Sequence, residues 1–177
     1  AAALKLDPTI TQKIKSVTVM GGSLDDGGNV TSFAEANMWQ DPHAAEMVFA
    51  ADWEVTMVGL DVTHQIICTP EDMGSLVGPA PKLGGFLNEA AQFYVEFHRK
   101  ENGIRGCHMH DPTAVISIIR PDLFNIDKSP VNVTLNGEGI GRTVRSGDAS
   151  RPALNVFMGV NANEVRELFL DTLKTGF

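Results

Sequence analysis

The chain has 177 residues, 43% hydrophobic and 20% charged, which suits one globular domain and excludes a disordered segment. Its formal charge of -8, from 22 acidic against 14 basic side chains, disfavours nucleic acid as a partner. Phosphate binding needs Lys and Arg to displace counterions. Carboxylates remain available for a hard cation. No apolar run approaches the roughly 20 residues of a bilayer span, and the start carries no secretory signal pattern, so no membrane role is expected. Cys68 and Cys107 lie far apart in sequence and lack metal-ligand spacing, which predicts reduced thiols and a cytoplasmic protein rather than a disulfide.

In chain order, Ala1–Leu6 reads as a helix end closed by Asp7-Pro8. The opening Ala1-Ala2-Ala3-Leu4-Lys5 has no initiator Met, and the expectation is a part of a longer chain. Ser16–Met20 is β-branched and meets Gly21-Gly22, a strand ending in a loop that runs to about Asn37. Asp41-Pro42 opens a helix, with Asp as cap and Pro at the first helical position. Val55–Leu60 is nearly all apolar, as in a parallel strand covered on both faces. Thr69-Pro70-Glu71-Asp72 repeats the cap signal. Leu83, Phe86, Leu87, Ala90, Tyr94 and Phe97 predict an amphipathic helix ending near Arg99.

His110-Asp111-Pro112 leads a helix that Pro121 stops. Val131–Leu135, Thr143–Arg145 and Val156–Val160 are late strands, and Val165, Leu168, Phe169 and Thr172 mark a final helix. This order predicts an α/β fold, in which ligands sit at the carboxyl ends of strands. Two polar loops, Gly21–Asn37 and Gly103–Asp111, are placed at or near such ends.

In the first loop, Asn29, Glu35 and Asn37 carry amides and a carboxylate that can hold sugar hydroxyls, since each hydroxyl both donates and accepts. The same residues also suit turns and a helix cap. No phosphate-binding glycine pattern is present. In Cys107-His108-Met109-His110-Asp111-Pro112, an Asp beside a His offers a cation ligand and a proton donor, because His titrates near neutral pH. Asp111 equally suits a helix cap with Pro112 at the first position. His108-x-His110 lacks the further ligands of a zinc site. His64 reads as a polar contact, His43 and His98 as surface residues, Asp25-Asp26 as a solvated turn, and Trp39 and Trp53 as core or rim.

Taken in order, Val17–Gly22, Gly28–Thr31, Ala34–Asn37, Asp41-Pro42, Val58–Thr63 and His110–Val115 resemble the inosine-uridine preferring nucleoside hydrolases, and Gly141–Val144 with Asp148 fits the family's tail. The resemblance covers nearly the whole chain. It implies a mostly parallel, Rossmann-like sheet with flanking helices, incomplete on its N-terminal side, with 1–177 forming the C-terminal part of one hydrolase domain. It implies hydrolysis of the N-glycosidic bond of ribonucleosides with one bound calcium, in purine or pyrimidine salvage, by an enzyme expected to be a homo-oligomer.

By motif position, Met20, Asn29, Glu35 and Asn37 match residues around the ribose, Asp111 a calcium-ligand carboxylate, and His110 the histidine that protonates the leaving base. The Gly27-Gly28 pair makes the loop about one residue longer than the family's pattern. The family's opening DxDxGxDD segment, which supplies most calcium ligands and the water-activating aspartate, has no match here. A Thr-Asn segment with a backbone calcium ligand normally precedes the position of Ala1. The resemblance therefore implies an N-terminal partner segment. The rival reading is a non-catalytic nucleoside-binding or assembly module.

Overall fold

The computed structural model describes residues 1–175. Its elements are α1 (Ala2–Leu6), a 3-10 turn (Pro8–Gln12), β1 (Val17–Met20), α2 (Ala36–Gln40), α3 (Pro42–Ala50), β2 (Val55–Val58), α4 (Leu60–Thr63) and β3 (Ile67–Cys68). There follow α5 (Pro70–Gly74), α6 (Pro81–Asn102), β4 (Cys107–His108), α7 (His110–Ile119), β5 (Phe124–Val133), β6 (Thr143–Arg145), β7 (Ala153–Val160) and α8 (Ala162–Thr175). No helix among the described residues is long and apolar enough to cross a membrane. The chain divides into two compact units, residues 1–62 with 124–159, and 63–123 with 160 onward.

The first unit holds a five-stranded sheet in the order β1-β2-β7-β5-β6. β1 and β2 pair in parallel from Val17↔Val55 to Met20↔Val58, β2 and β7 are parallel, and β5 and β6 are antiparallel. This is the expected α/β class with a mostly parallel core. Val55, Met57 and Val58 are all buried, which explains the nearly continuous apolar run of β2. Val55 and Met57 pack with Met38, Phe49, Val131, Val133, Leu154 and Val156.

Two late strands begin earlier than their apolar runs. β5 starts at Phe124 and β7 at Ala153. At Ser129, Val131 and Val133 burial alternates with half-burial, the period of a strand with one inward face.

A nearly buried ion pair ties α3 to the sheet. Arg151 Nη1 lies 2.6 Å from Glu46 Oε1 with only 11% and 22% of the two side chains exposed. Arg151 Nε donates to Val131 O at 2.7 Å, and Glu46 Oε2 accepts from Val133 N at 2.8 Å. Each charge is thus satisfied by its partner and by β5 backbone, the condition under which a buried pair holds.

In the second unit, β3 and β4 form an antiparallel ribbon with Cys68 opposite Cys107. Both cysteines are free and buried. Burial raises the Cys68 thiol to about 12, with Asp72 and Cys107 adding to it and Arg166 opposing. Thr69 caps α5 as expected, and Asp72 reaches back to complete a capping box with it.

α6 departs from its predicted face. Phe86 is 67% and Phe97 47% exposed, whereas Gly84 and His98 are buried. The inward stripe runs through Gly84, Leu87, Ala91, Val95 and His98, about one residue away from the predicted one. Gly84 decides this, because a Cβ there would stand 2.2 Å from Leu76 O. The helix therefore turns its smallest residue toward Leu76. It runs to Asn102 and ends at Gly103, whose φ of +70° is left-handed. In α8, Val165 and Leu170 are buried, while Thr172 is exposed and bonds back to Leu168 O.

Replacing Arg151 with Ala should leave the Glu46 carboxylate without its cation and cost about 2–4 kcal/mol of stability, measurable by urea unfolding. A loss below about 0.5 kcal/mol, as for an exposed pair, would contradict this account of the α3–β5 tie.

Candidate active site

In the first unit, the polypeptide leaving β1 is tied down amide by amide. Gly21 N donates to Val58 O at 3.1 Å, continuing the ladder. Gly22 N donates to Glu35 Oε2 at 3.0 Å and Ser23 N to Thr143 Oγ1 at 2.8 Å. Leu24 N reaches Asp61 Oδ2 at 2.9 Å, and Asp25 N and Asp26 N reach Asp61 Oδ1 at 2.8 and 3.2 Å. Thr143 Oγ1 donates in turn to Ser23 O at 2.6 Å. Gly22 has φ +78°, and a Cβ would meet Met57 Sδ and Thr143 at 3.0 Å, so glycine is required there.

Asp61 and Thr143 are parts of this frame that the sequence reading did not assign to the site. Asp61 is 8% exposed and Thr143 2%. A visible signal was Asp61 itself, a carboxylate directly after an apolar strand, where burial demands several donors. Asp25 is exposed, pairing with Arg145 at 3.0 Å, so the turn expected at Asp25-Asp26 is solvated on its side chains and fixed on its backbone.

Met20, Asn29, Glu35 and Asn37 are gathered by the same loop. Glu35 is only 3% exposed and caps α2, with Oε1 accepting from Asn37 N at 2.9 Å and Oε2 from Met38 N at 3.1 Å. Asn29 Oδ1 accepts from Ala36 N at 2.9 Å. Asn37 Nδ2 donates to Met20 O at 3.2 Å and lies 3.4 Å from Met20 Sδ. The cap reading of Glu35 and the turn reading of Asn29 are therefore both realised. Asn29 and Asn37 are exposed, with amide groups able to meet a ligand.

The second unit presents His110 and Asp111. The ladder continues past β4 through Met109 N to Ile66 O at 3.1 Å, and α7 begins at the next residue. This corrects the predicted cap. Met109 is the cap residue, and Asp111 and Pro112 lie inside the first turn, where Pro lacks only an N–H that needs no partner. Asp111 is exposed there. The polar loop Gly103–Asp111 also lies on the antiparallel ribbon, not at the end of a parallel strand.

Four of the five histidines converge. The His64 ring lies tilted against His108 at 4.5 Å between centroids and stands 5.8 Å from His110. His98 meets His108 edge-on at 5.2 Å, and Tyr94 meets His98 at 4.4 Å. His98, expected on the surface, is 7% exposed, with Nδ1 3.1 Å from Asn102 Oδ1. Its burial follows from the rotated face of α6. His43 is exposed, as expected.

His110 Nδ1 shares a 2.8 Å hydrogen bond with Thr63 Oγ1. Burial, then repulsion from His64 and His98, lowers its pKa from 6.5 to about 4. His110 is therefore neutral at pH 7, unlike the near-neutral titration expected from its type. It lines a cleft of about 360 Å³ with Tyr94, Cys107, His108, Asp111 and Phe169.

Calcium coordination needs about six to eight oxygens. Among the described residues, no three His, Cys, Asp or Glu side chains converge to hold a metal ion. Asp111 offers one carboxylate, and Glu35 and Asp61 already accept three backbone amides each. The residues present do not by themselves fit a calcium ion.

The sequence profile of the inosine-uridine preferring nucleoside hydrolases matches residues 1–167. An inosine-uridine preferring nucleoside hydrolase of Leishmania major is 39% identical over 137 residues, which are 77% of this chain and 43% of that protein. Uridine nucleosidase 1 of Arabidopsis thaliana is 34% identical over 144 residues, 81% of this chain and 43% of that one. The solved structure of a plant nucleoside hydrolase superposes with a TM-score of 0.94 at 29% identity, covering 99% of this chain and 58% of its own. The chain spans about half the length of the curated relatives it matches. With the family's profile matched almost end to end, the chain belongs to the inosine-uridine preferring nucleoside hydrolase family.

Proposed function

We propose that this chain serves a nucleoside hydrolase as the part that holds the ribose and meets the leaving base, cleaving the N-glycosidic bond to give ribose and free base. The observation that supports this most is the gathering of Met20, Asn29, Glu35 and Asn37 at the carboxyl end of a parallel strand, where open α/β sheets bind ligands. The relatives' names add inosine and uridine as the substrate class.

Cleavage of a glycosidic bond builds positive charge on the sugar ring. The exposed amides of Asn29 and Asn37 fix its hydroxyls, and the buried Glu35 carboxylate supplies negative charge. His110 assists departure of the base. Being neutral, it does so as an imidazole N–H donor rather than as a standing imidazolium, a use of neutral imidazole known from other enzymes. Asp111 would offer one carboxylate to a calcium ion, and the other ligands, with a carboxylate to activate water, would have to come from beyond the residues gathered here. We infer a homo-oligomeric, cytoplasmic enzyme.

The test compares inosine, uridine and p-nitrophenyl riboside, whose leaving group departs without a proton. In the active enzyme, Glu35→Ala should lower kcat/KM for all three alike, by roughly 2–4 kcal/mol of transition-state stabilisation. His110→Ala should spare p-nitrophenyl riboside by about tenfold or more relative to inosine. Equal losses on both would remove His110 from its role at the base. Nucleoside binding without turnover would favour the rival reading of a non-catalytic module.

Calcium titrated into residues 1–177 alone should show no binding tighter than about millimolar, because one carboxylate cannot replace the shell. Micromolar binding by calorimetry would place a complete site within this chain.

His110 also predicts a pH dependence. Its folded pKa lies below the unfolded value, so between pH 6.5 and about 4 the unfolded state binds more protons. Its contribution is full above pH 6.5 and is lost as pH falls toward 4, about 3 kcal/mol at most. An NMR titration should find the ring's midpoint near 4; a midpoint at or above 6 would refute its neutral state.

A further inference from the structure

We propose that Thr63 is a positioning residue that fixes the tautomer of His110, with the Thr63 hydroxyl donating to Nδ1 so that the ring carries its hydrogen on Nε2. The proposal rests on the reading of His110 as the group that meets the leaving base.

Thr63 has 0% exposure, so its hydroxyl has no water to turn to. Its hydrogen-bond partner is His110 Nδ1 at 2.8 Å, and no second acceptor for it stands among the described residues. Two arrangements share that distance. If Nδ1 carried the hydrogen and donated to Thr63 Oγ1, the hydroxyl hydrogen would be left buried without an acceptor, an outcome that folded proteins avoid. If the hydroxyl donates, both groups are satisfied and Nε2–H is left as the ring's donor. The second arrangement is therefore the stable one.

The backbone supports it. Thr63 closes α4 and its carbonyl accepts from Ile66 N at 3.2 Å, while Met109 N donates to Ile66 O. Hydroxyl and imidazole are thus carried on adjacent, mutually bonded backbone segments, and the 2.8 Å contact follows from the ribbon register. A ring held this way offers a departing base nitrogen a donor with a fixed direction. In the other tautomer it would present a lone pair and repel that nitrogen.

The experiment uses histidine labelled with 13C and 15N, whose ring shifts distinguish the two neutral tautomers, together with steady-state kinetics. Wild-type His110 should show the Nε2–H signature. Thr63→Val keeps the shape and removes the donor. It should abolish that signature, lower kcat for inosine about tenfold with KM changed less than about twofold, and affect p-nitrophenyl riboside less. Thr63→Ser should restore both signature and turnover, which a purely space-filling role would not require.

An Nδ1–H signature in the wild type would overturn the assignment without any variant. So would Thr63→Val retaining the Nε2–H signature, or equal losses on both substrates. If the wild type hydrolyses no nucleoside, the functional reading fails, while the ring shifts still decide the Thr63 assignment.

Discussion

Six consecutive backbone amides, Gly21 to Asp26, each have an acceptor inside the first unit, and everything proposed for the ribose side of the site depends on that. A chain leaving a strand end would normally give such amides to water. Here two carboxylates take four of them, Glu35 one and Asp61 three. Charge-assisted bonds of this kind are shorter and roughly twice as strong as neutral ones. They are also the reason the carboxylates can be buried, since an unpaired carboxylate would cost several kcal/mol to desolvate. Loop and carboxylates therefore stabilise each other, and neither holds its position without the other.

Much of this fold was legible in the sequence for a physical reason. Strong local signals coincided with tertiary ones at β1, β2 and the caps at Asp41 and Thr69, where Asp41 Oδ1 accepts from Ala44 N at 2.9 Å. The grouping of Asn29, Glu35 and Asn37 was also legible, because those residues lie within one segment, whereas Met20 joined them only through the family resemblance. Asp61 and Thr143 were not assigned, because their partners are 35 or more residues away in sequence, and the position of Asp61 after an apolar strand signals burial without naming those partners.

α6 shows the opposite failure. Its large side chains at Phe86, Tyr94 and Phe97 gave a clear helical period, and the period was right while the face was wrong. A hydrophobic stripe identifies a helix, but the side that packs is the side that can approach closest. Gly84 offers that side through its missing Cβ, and the rotation it sets carries His98 inward. The same rotation assembles the histidine group, which no sequence spacing announces. His64, His98 and His108 arrive from a loop, a long helix and a two-residue strand.

The exposed and buried polar groups then divide the work. Glu35 and Asp61 spend their oxygens on the chain's own backbone, so what they set is the shape of the loop. Asn29 and Asn37 are bonded at single groups, Asn29 through Oδ1 and Asn37 through Nδ2, and both are exposed. An amide keeps a donor and an acceptor on one planar group, so the unengaged end of each can still meet a hydroxyl, which needs both. A carboxylate could only accept. Exposed amides on a floor fixed by buried carboxylates suit a polyhydroxylated ligand better than a cation. That is consistent with the mismatch between this donor set and a calcium shell.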